Sequence, residues 1–256
     1  MAGRGVLGGR AVSGGASVTS RVADILETFA GHRDSLSLSE VARRTGLPLT
    51  TTHRIVGELV GRHFLERDES GRYQIGLRLW ELASHAPRSV GLRESALPIM
   101  EDLYEATHEN VQLAIIDGVD AVYVERIAGR DSVQVLTRPG LRLPVHATAV
   151  GLVLLAHASA ETQEEVLSSP LARYTRYTIT DPRRLRRILA GVRQVGYAIS
   201  DRQIQTISSS VAAPVRDSSG AVVAAISVVV KARDNVSAQY VPAVMAAARG
   251  ISRALA

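Results

Sequence analysis

Apolar residues recur at helical spacing through the first third of the chain and at strand spacing through much of the second half. Val18, Val22, Ile25, Leu26 and Phe29 form one stripe, which predicts a helix over 17–30. Leu38, Val41 and Ala42 mark a second, short helix. Ser37 or Ser39 can cap it, and Glu40 falls in its first turn, where a carboxylate suits the positive helix end. Gly46 tolerates the left-handed conformation of a helix end, and Pro48 favours a turn or the start of a new helix. Ile55, Val56, Leu59 and Val60 give a third helix its buried face, while its start is polar: Thr50, Thr51, Thr52, His53 and Arg54. Segments 64–67 and 72–75 read as short strands around the turn sequence Asp68-Glu69-Ser70-Gly71.

Past this hairpin, 77–85 reads as helical, with Leu79, Trp80 and Leu82 as apolar contacts. Pro87 should break it, and a helix resumes over 92–106, where Pro98 predicts a kink or a change of register. Apolar residues on such a connector can bury against a second subunit or against their own domain. From Asn110 the pattern becomes mixed. Strands are predicted at 111–116 and 121–125 around a turn at 117–120, and again at 133–136, 197–200, 208–215 and 222–230. Segment 146–158 is apolar nearly all round, which predicts a buried helix. Asp181-Pro182 starts another helix, with Leu185, Ile188 and Leu189 on one face and Arg183, Arg184, Arg186 and Arg187 elsewhere. That basic run reads as a solvated face in preference to a second nucleic-acid site. A last helix is expected over 235–254. The fold class is α+β. It divides into a disordered Gly/Ala/Ser/Arg-rich tail over 1–16, a winged helix-turn-helix over 17–80, a helical linker over 81–107 and an α/β domain over 108–256.

Composition narrows the chemistry. A 46% hydrophobic content over 256 residues supports a sizeable core. Cysteine is absent, which removes disulfides, thiol nucleophiles and Cys-based zinc sites. No apolar run is long enough to span a bilayer, and the start of the chain lacks a signal-peptide apolar core, so a cytoplasmic protein with no membrane partner is expected. Of the net charge of +5, +3 falls in residues 1–80, the denser share. Gly3-x-Gly5-x-x-Gly8 matches a dinucleotide fingerprint in form only, with no strand before it and no patterned helix after it. The seven histidines are scattered, with no pair at metal-ligand spacing, and no Gly-x-Ser-x-Gly, His-Glu-x-x-His or phosphate-binding loop occurs. No catalytic residue, metal or cofactor is expected.

What remains is recognition. The polar start of the third helix suits a recognition helix, with Thr50, Thr51, Thr52, His53 and Arg54 toward base edges in the major groove of double-stranded DNA. Arg43 and Arg44 could lie over the DNA backbone, and Arg67 and Arg72 on the hairpin could reach phosphates or the minor groove. In the second half, a helix starting near His146 offers free N–H groups at Thr148 and Ala149, which attract a carboxylate. Ser208, Ser209 and Ser210 interrupt an apolar strand. Alternation sends Ser208 and Ser210 to one face and Ser209 to the other, so all three share a pocket only if a bulge intervenes. Pairing of these serines at a sheet edge is the other reading.

The order of elements, with Leu143-Pro-Val-His-Ala-Thr-Ala-Val-Gly151, Gly196-Tyr-Ala198 followed by Asp201, and Val211-Ala-Ala-Pro-Val215, resembles the IclR family of bacterial transcription regulators over roughly 17–254. The resemblance implies a GAF-like C-terminal domain that binds a small effector, often an organic or aromatic acid. It also implies Asp201 at the pocket rim, and homodimers, commonly dimers of dimers, on palindromic operators. Such a protein represses or activates. Leu152 and Val153 stand where the family often has a lysine, and 202–207 departs from its acidic pattern. Two other functions compete: a small-molecule sensor acting through a protein partner, and an enzyme with an appended helical domain.

Overall fold

The computed structural model describes residues 17–30, 35–85, 90–233 and 236–256. The expected tail over 1–16, the break at Pro87 and the start of the last helix at Asn235 lie outside these residues. The chain divides into two units, Met1–Ala86 and Pro87–Ala256.

The first unit contains α1 (Val18–Glu27), α2 (Leu38–Thr45), α3 (Leu49–Gly61), β1 (Leu65–Arg67), β2 (Tyr73–Ile75) and α4 (Leu77–Ala83). Ser37 and Glu40 form a capping box at the start of α2: the Ser37 hydroxyl accepts from the Glu40 N–H, and the Glu40 carboxylate accepts from the Ser37 N–H. Gly46 ends α2 at φ 69°, in the left-handed region. Ile25, Phe29, Val41, Ile55, Val56, Leu59 and Leu65 close one core under the three helices. β1 and β2 pair antiparallel from Leu65↔Ile75 to Arg67↔Tyr73, and Leu36 bridges to Tyr73. Leu77, Trp80 and Leu82 on α4 are exposed.

The second unit begins with α5 (Val90–Thr107), which runs unbroken through Pro98. Six strands follow: β3 (Asn110–Asp117), β4 (Asp120–Ile127), β5 (Arg142–Pro144), β6 (Ala198–Asp201), β7 (Ser208–Arg216) and β8 (Val222–Lys231). They form one antiparallel sheet in the order β5-β4-β3-β8-β7-β6. Between β5 and β6 lie a 3-10 turn (Val145–Ala147), α6 (Ala149–His157), α7 (Ala160–Ser168) and α8 (Pro182–Val195). A second 3-10 turn (Val236–Tyr240) and α9 (Val241–Ala254) close the chain. Alternation along the strands feeds two cores. Leu113, Val211, Ala213, Val215, Ile226 and Val228 pack on α5 and α9, while Ala114, Ala121, Ala212 and Ala225 pack on α6 and α8.

Three expectations need correction. Segment 133–136 is not a strand. Its carbonyls and those just after it are satisfied by side chains instead: Asn110 Nδ2 donates to Val133 O (2.9 Å) and Arg126 Nη1 to Thr137 O (3.0 Å). The helix expected from His146 starts at Ala149, because the Thr148 side chain caps it and the preceding turn is 3-10. The closing helix is split, with Pro242 in the first turn of its α-helical part. β5 and α7 were not foreseen. One is three residues long, and the other carries only Val166 and Leu167 as buried residues.

Candidate nucleic-acid interface and effector cavity

The two ends of α3 are built differently. Its C-terminal half supplies the core through Ile55, Val56 and Leu59, and its N-terminal half leaves Thr50, His53 and Arg54 exposed. Thr51 is half-buried. Thr52 is not available to a base. It is fully buried, and its hydroxyl donates to the Pro48 carbonyl at 3.1 Å, a helix-start bond that points it into the domain. Arg54 pairs with Glu58 one turn on, at 2.6 Å, with both side chains more than half exposed. The i,i+4 spacing made this partner findable in the sequence.

Arg43 and Arg44 are exposed in the last turn of α2, and Arg44 Nη1 donates to the Thr28 carbonyl at 3.1 Å. In the wing, Arg67 is exposed, donates to the Gly71 carbonyl at 3.0 Å and stacks over the Tyr73 ring at 5.8 Å. Arg72 turns inward instead. It donates to the Ser35 carbonyl through Nε (3.0 Å) and Nη2 (2.7 Å), and pairs with Glu40 at 2.8 Å. This corrects its assignment as a phosphate contact: its donors hold β2 to the start of α2. The Ser37 N–H and hydroxyl, with Arg72 beside them, hold the Glu40 carboxyl down at about 2.

The second unit encloses a cavity under the start of α6, and the space open to water in it is about 50 Å³. Thr148, Ala149, Ser208 and Ser210 line it, as expected from the sequence. The Gly151 N–H is taken by Thr148 Oγ1 at 3.0 Å, so the N–H groups of Ala149 and Val150 are the open donors of that helix end. Three expected residues stand elsewhere. His146 is buried beside Tyr174 with Nε2 against the Ala172 carbonyl at 3.0 Å, and burial pulls its pKa below the usual histidine value. Ser209 faces the opposite side of the sheet, where its hydroxyl donates to Ser237 at 3.0 Å. Asp201 is exposed, 3.7 Å from the Arg202 guanidinium, and is not part of the wall.

The rest of the polar wall, Gln112, Tyr123, Thr137, Ser200, Gln203, Gln205 and Ser227, is not among the residues expected from the sequence. Ser227 sits alone among valines and alanines in β8, the same signal that singled out Ser208–Ser210. Gln112 interrupts β3 in the same way. Tyr123 is buried against Thr148, and burial pushes its phenol up, so it is neutral and can donate. Among the described residues no lysine, arginine, aspartate or glutamate lines the cavity. Among the described residues no group of three or more His, Cys, Asp or Glu could hold a metal, and no helix is long and apolar enough to cross a membrane.

A winged helix-turn-helix and a separate α/β unit with a small cavity of uncharged lining define a ligand-responsive DNA-binding regulator. Residues 18–69 match the IclR helix-turn-helix domain, and residues 84–253 match the bacterial transcriptional regulator IclR C-terminal domain. The chain belongs to the IclR family of transcriptional regulators. It is 35% identical to the HTH-type transcriptional regulator KipR of Bacillus subtilis, over 77% of this chain and 79% of that protein. It is 32% identical to the HTH-type transcriptional regulator BhcR of Paracoccus denitrificans, over 84% of this chain and 78% of that protein. Among solved structures it is similar to an IclR homolog from Microbacterium hydrocarbonoxydans complexed with 4-hydroxybenzoate. The identity is 40%, the TM-score 0.88, and the match covers 93% of this chain and 99% of that one.

Proposed function

We propose that this regulator binds a palindromic operator as a homodimer in the cytoplasm, and that a small aromatic carboxylate in the enclosed cavity sets its operator affinity. The observation that carries the effector reading is the cavity wall. Uncharged donors, the Tyr123 phenol and the Ser208, Ser210 and Ser227 hydroxyls, converge with the open N–H groups of α6 on one small space. Helix-end N–H groups and hydroxyls suit one carboxylate, and the apolar remainder of the wall (Leu143, Ile204, Val229) suits a ring. The 4-hydroxybenzoate in the Microbacterium homolog supports the same class. The cavity is far smaller than the ~300 Å³ at which small-molecule sites begin, so an aromatic guest requires the rim around Gln205 to give way. Gln205 Oε1 meets the Leu136 N–H at 3.4 Å, and loss of that weak contact accompanies entry.

For DNA, α3 enters the major groove with Thr50, His53 and Arg54 leading, while Arg43, Arg44 and Arg67 meet phosphates. The exposed Leu77, Trp80 and Leu82 of α4 favour burial against a second copy. Two recognition helices must then match half-sites about 34 Å apart or a multiple, so a small rotation on effector binding spoils the fit. Calorimetry with 4-hydroxybenzoate tests the effector half. Binding is expected, and Ser210→Ala and Ser227→Ala should each weaken it severalfold. Wild-type affinity in both variants would remove the cavity. Selection of bound genomic fragments tests the DNA half, with affinity expected to fall steeply with salt through counterion release. Salt-independent binding would favour a protein partner.

A further inference from the structure

A second void of the α/β unit lies apart from the enclosed cavity. A groove of about 440 Å³ runs between β7 and α9. Its floor is apolar, made by Ala213, Pro214, Met245 and Ala248. β7 outruns its neighbour here: β6 pairs only as far as Ala212, which leaves 213–216 without a strand on that side. The bare edge is nevertheless closed to strand addition. Pro214 has no N–H, and the Arg216 N–H is taken by Ser252 Oγ at 2.8 Å.

Three arginines, Arg216, Arg249 and Arg253, border this floor, and the two on α9 are exposed. Arg216 is held by the Gly220 carbonyl at 2.9 Å and touches His157 Nε2 at 3.3 Å. Arg249 and Arg253 stand one turn apart on α9, a spacing at which like charges repel. Neither has a carboxylate partner among the described residues, and no carboxylate lines the groove. The arginines of α8 differ. Arg183, Arg184 and Arg187 border neither this groove nor the enclosed cavity, and Arg186 is paired with Glu164.

We propose that this groove is a second ligand site, distinct from the enclosed cavity, for a small organic dianion with a flat apolar body, of the benzenedicarboxylate class. Guanidiniums grip carboxylates through two parallel N–H bonds, and the alanine, proline and methionine floor takes the ring. The volume falls within the range of small-molecule sites, and the blocked edge turns away an extended peptide.

The test uses methionine. The chain has three, of which Met245 lines the groove and Met100 is fully buried in the core. Among the described residues no methionine lines the enclosed cavity. In full-length protein carrying 13C-methyl methionine, phthalate should move the Met245 signal saturably and leave Met100 in place. The double variant R249Q/R253Q should weaken that response roughly tenfold or more, with the unchanged Met100 signal reporting an intact fold. Absence of a saturable shift, or wild-type affinity in the variant, overturns the site. An equal response to inorganic phosphate overturns the ligand class. Competition by 4-hydroxybenzoate assigns phthalate to the enclosed cavity and overturns the second site. A Met245 shift that follows protein concentration without phthalate makes the groove an interface between copies and overturns it as well.

Discussion

The two units handle charge in opposite ways. The helix-turn-helix unit buries one apolar cluster and turns Arg43, Arg54 and Arg67 outward. The α/β unit draws polar side chains inward, and those that wall its cavity are all neutral. Each arrangement suits the ligand of its unit. DNA is a hydrated polyanion met at a surface, where guanidiniums act at long range and lose little by staying wet. An effector in the cavity leaves water behind, and a buried arginine waiting for it would carry an uncompensated desolvation cost. Helix-end N–H groups and hydroxyls carry a much smaller cost and still favour a carboxylate. On the proposed assignment, charge marks the site where the ligand stays in water, and dipoles mark the site where it does not.

The largest effect that would sharpen this contrast lies at Gly151. A Cβ there would sit 2.4 Å from both the Val145 Cα and the Val145 carbonyl oxygen, and those are backbone atoms that cannot swing aside. Gly151→Ala should cost the second unit about 3 kcal/mol and displace the Thr148 cap at the cavity mouth, as read by urea denaturation and by loss of effector binding. A change under about 1 kcal/mol would mean that the rim is soft and the cavity not preformed.

Next come the two arginines that looked alike in the sequence. Arg54→Ala should weaken operator binding by about 1–3 kcal/mol. It should leave stability nearly unchanged, because its exposed pair with Glu58 is worth at most ~1 kcal/mol. Arg72→Ala should do the reverse. Loss of its bonds to the Ser35 carbonyl and Glu40 costs stability, about 1–2 kcal/mol, with the slope of affinity against salt unchanged. If Arg72→Ala instead flattens the salt slope, the side chain leaves Glu40 for a phosphate when DNA binds.

That pair also marks how far sequence reasoning reaches. The helices of the first unit, the wing and the alternation that parts Ser209 from Ser208 and Ser210 were all legible, because each follows from local spacing. Thr52 and Arg72 were misread because their partners, the Pro48 carbonyl and Glu40, depend on cap geometry and on a contact between residues 32 positions apart. The cavity wall was legible only where polarity broke an apolar strand. Gln203 and Gln205 sit in irregular chain between β6 and β7, where polar residues are unremarked. Only the fold brings Gln203 under the Thr175 and Thr178 hydroxyls. The strand expected at 133–136 failed for a related reason: Asn110 and Arg126 supply to that segment the bonds a ladder would have given.

A smaller effect, opposite in sign to that at Gly151, is expected at Gly57 on the exposed face of α3. A Cβ there meets nothing within 4 Å. Gly57→Ala should stabilise the first unit by about 0.5–1 kcal/mol, measured by amide exchange in α3. Operator affinity then decides why glycine stands there. An unchanged value means the position is free, and a fall means the DNA backbone comes too close for a methyl group.

The smallest effects separate the units by pH. In the first unit, Glu40 is held at about 2, against 4.5 for a free glutamate. A depressed carboxylate stabilises the fold fully above the unfolded value and loses that contribution as pH falls from about 4.5 toward 2. Solvent exposure keeps the gain small, and Glu40→Gln should flatten the acid limb of protection in α2 and α3. In the second unit the group is His146, which burial keeps neutral below the usual 6.5. The unfolded chain takes up that proton first, so stability should begin to fall as pH drops below about 6.5, two units above the window of Glu40. Amide exchange between pH 7 and 4 should therefore show α6 losing protection before α3, and His146→Gln should remove the early loss. Simultaneous loss in both helices would mean that the two units do not separate their charges between surface and interior in the way their side chains suggest.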